Sequence, residues 1–454
     1  MTGDTNRSDF PGQLSLWHLL KVRNFRWLWL GQFVSLLGDQ VHFVALTWLV
    51  LQVADNAFTV GSVLAINGIP RALFMLVGGA FTDRFSPKSI MLLSNLLRML
   101  LVALLAGIIF AGHVELWMLY TLALIFGTVD AFFFPASVAI VPQLVGANHL
   151  QTANSMIQAT AQICQLIGPL IAAAMIALLG TNVPTKVGAE PIPEIQGLGV
   201  AFAFDAATFL VSTLTLSLIW LDRGKLDSRK REVTEQIEPQ GVLGILMTIQ
   251  EGLKVVWADR AMRALFLLSA AINFLFVGPF WVGMPILADS RFSQGAAAYG
   301  IIMGAYGGGM LLGTLAVGIL PQPAPRHLGS LLLIVISVLG LGLVIIGFSS
   351  SLWLAVLTSV SMGIANGYVN ILFITWLQSH TPTHLLGRVM SFMLFASVGL
   401  VPLSLALSGA LIQWNSTLLL AASGTLLMML TLWAATIAPV RSMGLASEPP
   451  IATP

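Results

Sequence analysis

Ionisable residues inside otherwise apolar segments are the part of this sequence best suited to chemistry. Five occur, all in the first half of the chain: Asp39, Arg71, Arg98, Asp130 and Asp205. Such a group is costly to insert into a membrane, so it normally faces a cavity or a partner, and a carboxylate there can take part in proton transfer. The second half has asparagines instead, so we expect the first half to handle ions and both halves to contact a substrate.

These charges allow two interpretations each. Asp39 could bind and release a proton as part of the protein's function, or it could form a permanent ion pair with Arg71 that only orients two helices. Arg98 and Asp130 are expected at similar depths, where they could form a second pair or a relay with Asp39. Asp205 is expected nearer the outer surface, within reach of water.

A histidine adds a sixth candidate. His42 follows Asp39 by three residues, which places both on one helical face. It could share the Asp39 proton near neutral pH, or it could be a hydrogen-bonded packing residue.

Amides and aromatic rings supply candidates for a substrate cavity. Three glutamines recur at spacings of four and three, which gives one polar stripe that could line a cavity or bond helix to helix. Aromatic rings could form walls for a greasy or cationic substrate, or could simply face lipid. The cavity candidates are Gln158, Gln162, Gln165, Phe134, Asn273, Phe280, Asn366 and Asn370.

Composition requires that these residues be carried by a membrane fold. Hydrophobic residues make up 57% of the 454 and charged residues only 9%, whereas a soluble domain carries about a quarter charged residues. Twelve stretches are long and apolar enough to span a bilayer as helices, which predicts an all-α polytopic protein. The predicted spans are 26–53, 59–81, 88–110, 116–140, 151–179, 198–220, 263–288, 297–320, 328–347, 352–377, 388–411 and 416–438.

The distribution of basic residues predicts the orientation. Nearly all Lys and Arg outside the spans fall on the side of the termini, and the opposite loops hold only Lys186 and Arg291. By the positive-inside rule both termini are cytoplasmic. The resulting divisions are a cytoplasmic segment 1–25, a six-helix bundle 26–221, a linker with an amphipathic helix 222–262, a second six-helix bundle 263–438 and a disordered tail 439–454.

Several classes of function are disfavoured. The single cysteine, Cys164, lies in an apolar span, so no metal site, cofactor site or disulfide framework is expected. The sequence lacks the hydrolase patterns GxSxG and HExxH, so we do not expect an enzyme. The basic residues are explained by the orientation of the protein in the membrane, so no nucleic-acid partner is expected.

The two halves repeat weakly at about 235 residues, as in some secondary transporters, which places a substrate between them. At residues 78–88 the segment GGAFTDRFSPK resembles the cytoplasmic loop motif of the major facilitator superfamily, GxxxDRxGRR, with Gly79, Asp83 and Arg84 in place. The resemblance covers residues 15–440 and implies two pseudo-symmetric six-helix bundles. It also implies that this loop latches the bundles in one state.

A second motif narrows the resemblance. The segment QLIGPLIAA, with Gly168 and Pro169, resembles the antiporter-type motif of the family's exporters. Together with FFFPASVAIVPQLV and LLGRVMSFM it is similar to the branch of macrolide-efflux proteins and enterobactin exporters. The sequence departs from the family pattern in the fourth span, which lacks the arginine that many proton-driven members carry just before the position of Gly127.

We therefore expect a monomeric secondary active transporter in the bacterial inner membrane. It would export an amphiphilic small molecule, such as a macrolide-like drug or a siderophore, in exchange for protons by alternating access. The alternatives are a lysophospholipid flippase of the same fold and a non-transporting membrane receptor or scaffold.

Overall fold

The computed structural model describes residues 16–54, 56–145, 149–180, 195–220, 257, 260–320, 323, 327–380 and 399–436. Most of the predicted linker 222–262 and all of the predicted tail 439–454 lie outside these residues. The predicted domain boundaries remain predictions.

The described chain is helical. A short helix, Leu16–Lys21, precedes twelve helices labelled here in chain order. These are α1 (Arg23–Ala54), α2 (Ala57–Arg84), α3 (Pro87–Phe110), α4 (Leu116–Leu144), α5 (Leu150–Leu179), α6 (Ile195–Ser217), α7 (Arg260–Ile272, the π-helical Asn273–Val277 and Gly278–Arg291), α8 (Ala296–Ile319), α9 (Leu328–Phe348), α10 (Leu352–His380), α11 (Val401–Ile412) and α12 (Ser416–Thr436).

Eleven described helices are long and apolar enough to cross a membrane, and α11 is a shorter apolar helix. The predicted eleventh span, 388–411, overlaps α11, but its residues 388–398 lie outside the described part of the chain. Helices suit this environment because each satisfies its own backbone hydrogen bonds where no water is available. The predicted all-α polytopic fold is confirmed.

Each half of the chain packs mainly on itself. In the first half α1 packs on α5 and α6, α2 on α4, and α3 on α6. In the second half α8 packs on α10, α9 on α12, and α7 on α11. The halves meet chiefly along two helix pairs, α2 with α11 and α5 with α8.

Polar contacts between the halves lie on the distal side, defined here as the side where α1 ends and α2 begins. Gln52 at the end of α1 donates to Asp289 near the end of α7, at 3.2 Å. Gln413, just after α11, donates to Asn56, just before α2, at 2.8 Å. The described halves are thus joined on the side opposite the N-terminal end of α1.

The α2–α11 crossing depends on a pair of glycines. A Cβ on Gly61 would collide with the Leu405 carbonyl oxygen and would lie 2.8 Å from the Cα of Gly409. Side chains of any size at these two positions would separate the backbones. The close approach of α2 and α11 on the distal side therefore requires glycine at both positions.

Candidate functional site

Arg98 on α3 lies at the centre of the polar groups inside the first half. Its side chain is buried, and its Nη1 lies 3.4 Å from Asp130 Oδ1 on α4 and 3.7 Å from Asp39 Oδ1 on α1. Its Nη2 donates to Asn95 Oδ1 at 3.0 Å. One guanidinium thus bridges carboxylates from two other helices.

Aromatic rings enclose the same guanidinium. Its Cζ lies 3.9 Å from the ring centroid of Phe133 and 4.8 Å from that of Phe209. Ring faces attract a cation and exclude water, so they strengthen the electrostatic interactions of Arg98. The Nε of Arg98 has no hydrogen-bond partner among the described residues.

Arg71 on α2 extends this group toward solvent or lipid. Its Nε lies 3.2 Å from Asp130 Oδ2, and its side chain is 46% exposed, against 19% for Asp130. The ion pair of Asp39 with Arg71, one of the two interpretations above, is wrong: Asp39 pairs with Arg98, because Arg98 reaches α1 and α4 together. We call Asp39, Arg71, Arg98 and Asp130 the Arg98 cluster.

His42 and Asp205 form a separate buried pair. His42 Nδ1 lies 2.9 Å from Asp205 Oδ2, and Asp205 is fully buried. Thr208 donates to the other carboxylate oxygen at 3.3 Å, and the imidazole stacks on Phe126 with centroids 4.7 Å apart. The predicted water access of Asp205 is therefore wrong, and the described ion-pair partner of His42 is Asp205, not Asp39.

Gly38 explains why α6 comes so close to α1 at this pair. A Cβ on Gly38 would collide with the side chains of both Asp205 and Thr208. Asp205 therefore lies against the α1 backbone at Gly38, the residue before Asp39. The His42–Asp205 pair and the Arg98 cluster are thus neighbours along α1.

In the second half, aromatic side chains gather on α7 and α8. Phe280 lies 4.8 Å from Tyr306 and 5.7 Å from Trp281, between ring centroids. Phe276 stacks on Phe280 at 5.1 Å. Trp281 also contacts Phe43 of α1 edge to face at 4.9 Å, so this group crosses between the halves. We call Phe276, Phe280, Trp281 and Tyr306 the aromatic face.

Tyr306 was not among the sequence candidates, although it precedes three glycines in YGGGM. Asn366 on α10, which was a candidate, donates to the Tyr306 hydroxyl at 2.5 Å. Asn366 thus helps to orient the Tyr306 ring through this hydrogen bond. A tyrosine beside close-packing glycines is the signal that could have identified it.

The remaining amide candidates do not share one surface. Gln162 is buried, and its Oε1 has no hydrogen-bond partner in the described chain. Gln158 is exposed and Gln165 is half-buried. Asn273 donates to the Ser269 carbonyl one turn earlier, and Asn370 is exposed.

Six further candidate residues, which form three groups, have different outcomes. Phe134 is 37% exposed, with the Arg71 guanidinium 6.0 Å from its ring centroid. Gly168 and Pro169 are buried in α5, where Gly168 lies against α1 at Gln40. The latch candidates Gly79, Asp83 and Arg84 lie on the last turns of α2, and their side chains fall outside what the structure describes.

No group of three or more His, Cys, Asp or Glu side chains that could hold a metal occurs among the described residues. The chemistry visible in the site is ion pairing, hydrogen bonding and aromatic contact.

A family comparison decides what kind of protein carries this site. The model of the Major Facilitator Superfamily matches residues 28–403, from α1 into α11. The chain belongs to the Major Facilitator Superfamily. It is therefore a multi-pass membrane transporter and not an enzyme.

Solved transporters share the superfamily fold. The nucleoside transporter NupG superimposes with a TM-score of 0.65 over 92% of this chain and 98% of its own, at 13% identity. A POT family transporter gives a TM-score of 0.66 over 92% of this chain and 97% of its own, at 14% identity. At these identities the likeness concerns the fold alone.

Sequence relatives include bacterial efflux proteins. The multidrug efflux pump Tap of Mycolicibacterium fortuitum is 26% identical over 82% of this chain and 85% of its own length. Macrolide efflux protein A of Streptococcus pyogenes is 23% identical over 81% of this chain and 84% of its own length. The MFS-type transporter YvqJ of Bacillus subtilis is 29% identical, over 35% of this chain and only 38% of its own length.

Proposed function

We propose that this transporter exports an amphiphilic small molecule, of the macrolide, drug or siderophore type, in exchange for protons. Its similarity to Tap and to macrolide efflux protein A over more than four fifths of the chain supports efflux. The polar groups within the first half support proton coupling.

The observation that carries proton coupling is a charge imbalance. The Arg98 cluster and the adjacent His42–Asp205 pair hold three carboxylates against two guanidinium groups. Without a proton bound to one of these groups, one negative charge remains, and an uncompensated charge is costly inside a membrane. Binding one proton removes that cost, so the site is suited to carry one exchangeable proton per cycle.

Asp39 is the carboxylate best placed to exchange that proton. It is 29% exposed, whereas Asp205 is fully buried. Asp39 and Phe43 are one helical turn apart on the same face of α1, and Phe43 contacts Trp281 of the second half. This spacing supports the proposal that Asp39 can be reached from the space between the halves.

The distal contacts define the transport state. If the termini are cytoplasmic, as the basic residues predict, the structure is closed to the outside. A substrate would enter from the cytoplasm or the inner leaflet and reach Asp39 on one wall and Trp281, the partly exposed member of the otherwise buried aromatic face, on the other. Protonation of the first half would then bias the halves between inward and outward states.

The chain's location and assembly belong to the same proposal. Bacterial relatives and the basic-residue asymmetry support the bacterial inner membrane with cytoplasmic termini. Both walls of the site come from one chain, so a monomer suffices for transport.

The test uses ethidium and a macrolide as probes in inverted vesicles or proteoliposomes. Asp39→Asn mimics the protonated acid, so gradient-driven uptake should fall by about tenfold or more while probe binding is retained. Glu115→Gln, the same change at a solvent-side carboxylate before α4, serves as the matched control.

Undiminished driven uptake by Asp39→Asn would remove Asp39 from the mechanism. A fluorescent lysophospholipid in the same vesicles tests the flippase alternative, which the aromatic and uncharged α7–α8 face would also suit. Transport of neither class of probe would favour the receptor or scaffold alternative.

A further inference from the structure

The α7 helix is interrupted beside the aromatic face. Its residues Asn273–Val277 are π-helical, between α-helical segments on both sides. Short π-helical turns are rare and concentrate at functional sites. Pro279, two residues after this segment, has no backbone N–H to donate, so the normal hydrogen-bond ladder is already incomplete here.

A side chain of another helix completes the interrupted ladder. The Gly278 N–H donates to Ser404 Oγ of α11 at 2.9 Å, and Ser404 Oγ donates to the Phe274 carbonyl oxygen at 2.5 Å. In an α-helix the Gly278 N–H would bond the Phe274 carbonyl directly. The Ser404 hydroxyl is therefore inserted into one rung of α7.

The fit between these two helices is close. Ser404 is 1% exposed, and a Cβ on Gly278 would collide with its carbonyl oxygen and its Oγ. A freed backbone group inside a membrane must find a substitute partner, and a serine of a neighbouring helix can be that partner.

The next residue of α11 faces the other half of the protein. The Leu405 carbonyl lies against Gly61 of α2, so α11 holds α7 through Ser404 and the first half through Leu405. A movement of α2 against α11 therefore acts directly on the helix that carries Phe276, Phe280 and Trp281.

We propose that Ser404 is a positioning residue that couples the contact between the halves to the geometry of α7. With the distal side closed, its hydroxyl holds the Phe274–Gly278 rung open and sets the register of the aromatic face. When the halves separate distally, the hydroxyl withdraws and the rung closes to a direct backbone hydrogen bond. This inference rests on the proposed alternating-access function.

The decisive measurement is hydrogen–deuterium exchange of the segment 273–283, which needs no substrate. Cysteines replacing Gln52 and Asp289, in a Cys164→Ser background, are joined by a short bifunctional methanethiosulfonate reagent to hold the distal side closed. We expect the exchange rate of this segment to differ by about twofold or more between the joined and reduced forms. With Ser404→Ala added, the two forms should exchange alike. If the joined and reduced forms of the protein with Ser404 intact exchange at equal rates, the proposal is overturned.

Transport provides a second readout. Ser404→Ala should slow ethidium efflux by about tenfold while ethidium binding changes by no more than about twofold. Ser404→Thr, which keeps the hydroxyl, should retain most of the efflux. Ser408→Ala is the control, because Ser408 is a buried serine one turn later on the same helix.

Undiminished efflux by Ser404→Ala, or an equal loss in Ser408→Ala, overturns the positioning role. If the parent protein transports no ethidium, the proposed function is at fault, and the exchange experiment still decides the role of Ser404.

Discussion

Arg98 combines two kinds of stabilisation that usually occur apart. Its guanidinium is paired with Asp39 and Asp130, and it also lies over the ring of Phe133. A planar guanidinium can make both contacts at once, whereas the compact ammonium of lysine fits the stacked geometry poorly. We therefore expect Arg98 to hold α1, α3 and α4 together as well as to balance charge.

Replacement of Arg98 by methionine should be strongly destabilising. It leaves Asp39 without its cation, while Asp130 keeps Arg71, and loss of one partner of a buried pair costs about 3–5 kcal/mol. The apparent melting temperature in detergent should fall for Arg98→Met, and it should fall by less for Arg98→Lys. Adding Asp39→Asn to Arg98→Met should recover part of the loss, because it removes the stranded charge.

Arg26→Met is the matched control, since Arg26 is exposed near the start of α1. If its effect equals that of Arg98→Met, burial of the pair is not the cause. Full stability of Arg98→Met would show that the cluster does not hold the three helices.

The pairing of Arg98 with Asp130 was among the expectations from the sequence, but the ion-pair partners of Arg71 and His42 could not be predicted from it. Each charge was identifiable because it interrupts an apolar run, but pairing depends on how helices rotate and lean. Asp39 and Arg71 were plausible partners along neighbouring helices, yet Arg98 reaches both Asp39 and Asp130. Asp205 is buried because Gly38 admits α6 against α1, a contact that no local pattern reveals.

The helices themselves were more predictable than their partners. Long apolar runs can form only helices in lipid, so spans such as 88–110 match their observed helices closely. The π-helical Asn273–Val277 was not foreseen, because Pro279 explains a missing donor but not the serine of α11 that replaces it. Features set by one segment could be predicted, whereas most contacts between two segments could not.

The α2–α11 crossing allows a prediction about the conformational equilibrium. Gly61→Ala places a methyl group against the Leu405 carbonyl, so it should weaken the distal contact and favour the outward-open state. A cysteine replacing Gln52 should then react faster with a membrane-impermeant maleimide from the distal side. Probe efflux should fall, because the closed state is populated less.

Gly107→Ala supplies the control for this change. A Cβ there has nothing within 4 Å, so the same substitution in a membrane helix meets no neighbour. If Gly107→Ala changes the labelling as much as Gly61→Ala, or if Gly61→Ala leaves it unchanged, the crossing does not set the equilibrium.

In the proposed function the two halves have different tasks, and their described residues share few polar contacts. Charge is concentrated on α1–α4 and α6, while the aromatic face lies on α7 and α8. A proton bound by the first half can influence a substrate held by the second only if the halves move relative to each other. Transport therefore requires the distal contacts to break once per cycle.

Joining Gln52→Cys to Asp289→Cys tests that requirement. The parent side chains meet at 3.2 Å across the halves, so a short bifunctional methanethiosulfonate reagent can bridge the pair in the closed state. Bridging should abolish efflux of ethidium, since the site can no longer open distally, and reduction should restore it. Each single-cysteine variant treated with the same reagent controls for modification alone. Efflux that continues in the bridged protein would mean that the halves do not separate on this side, and alternating access through the distal contacts would have to be abandoned.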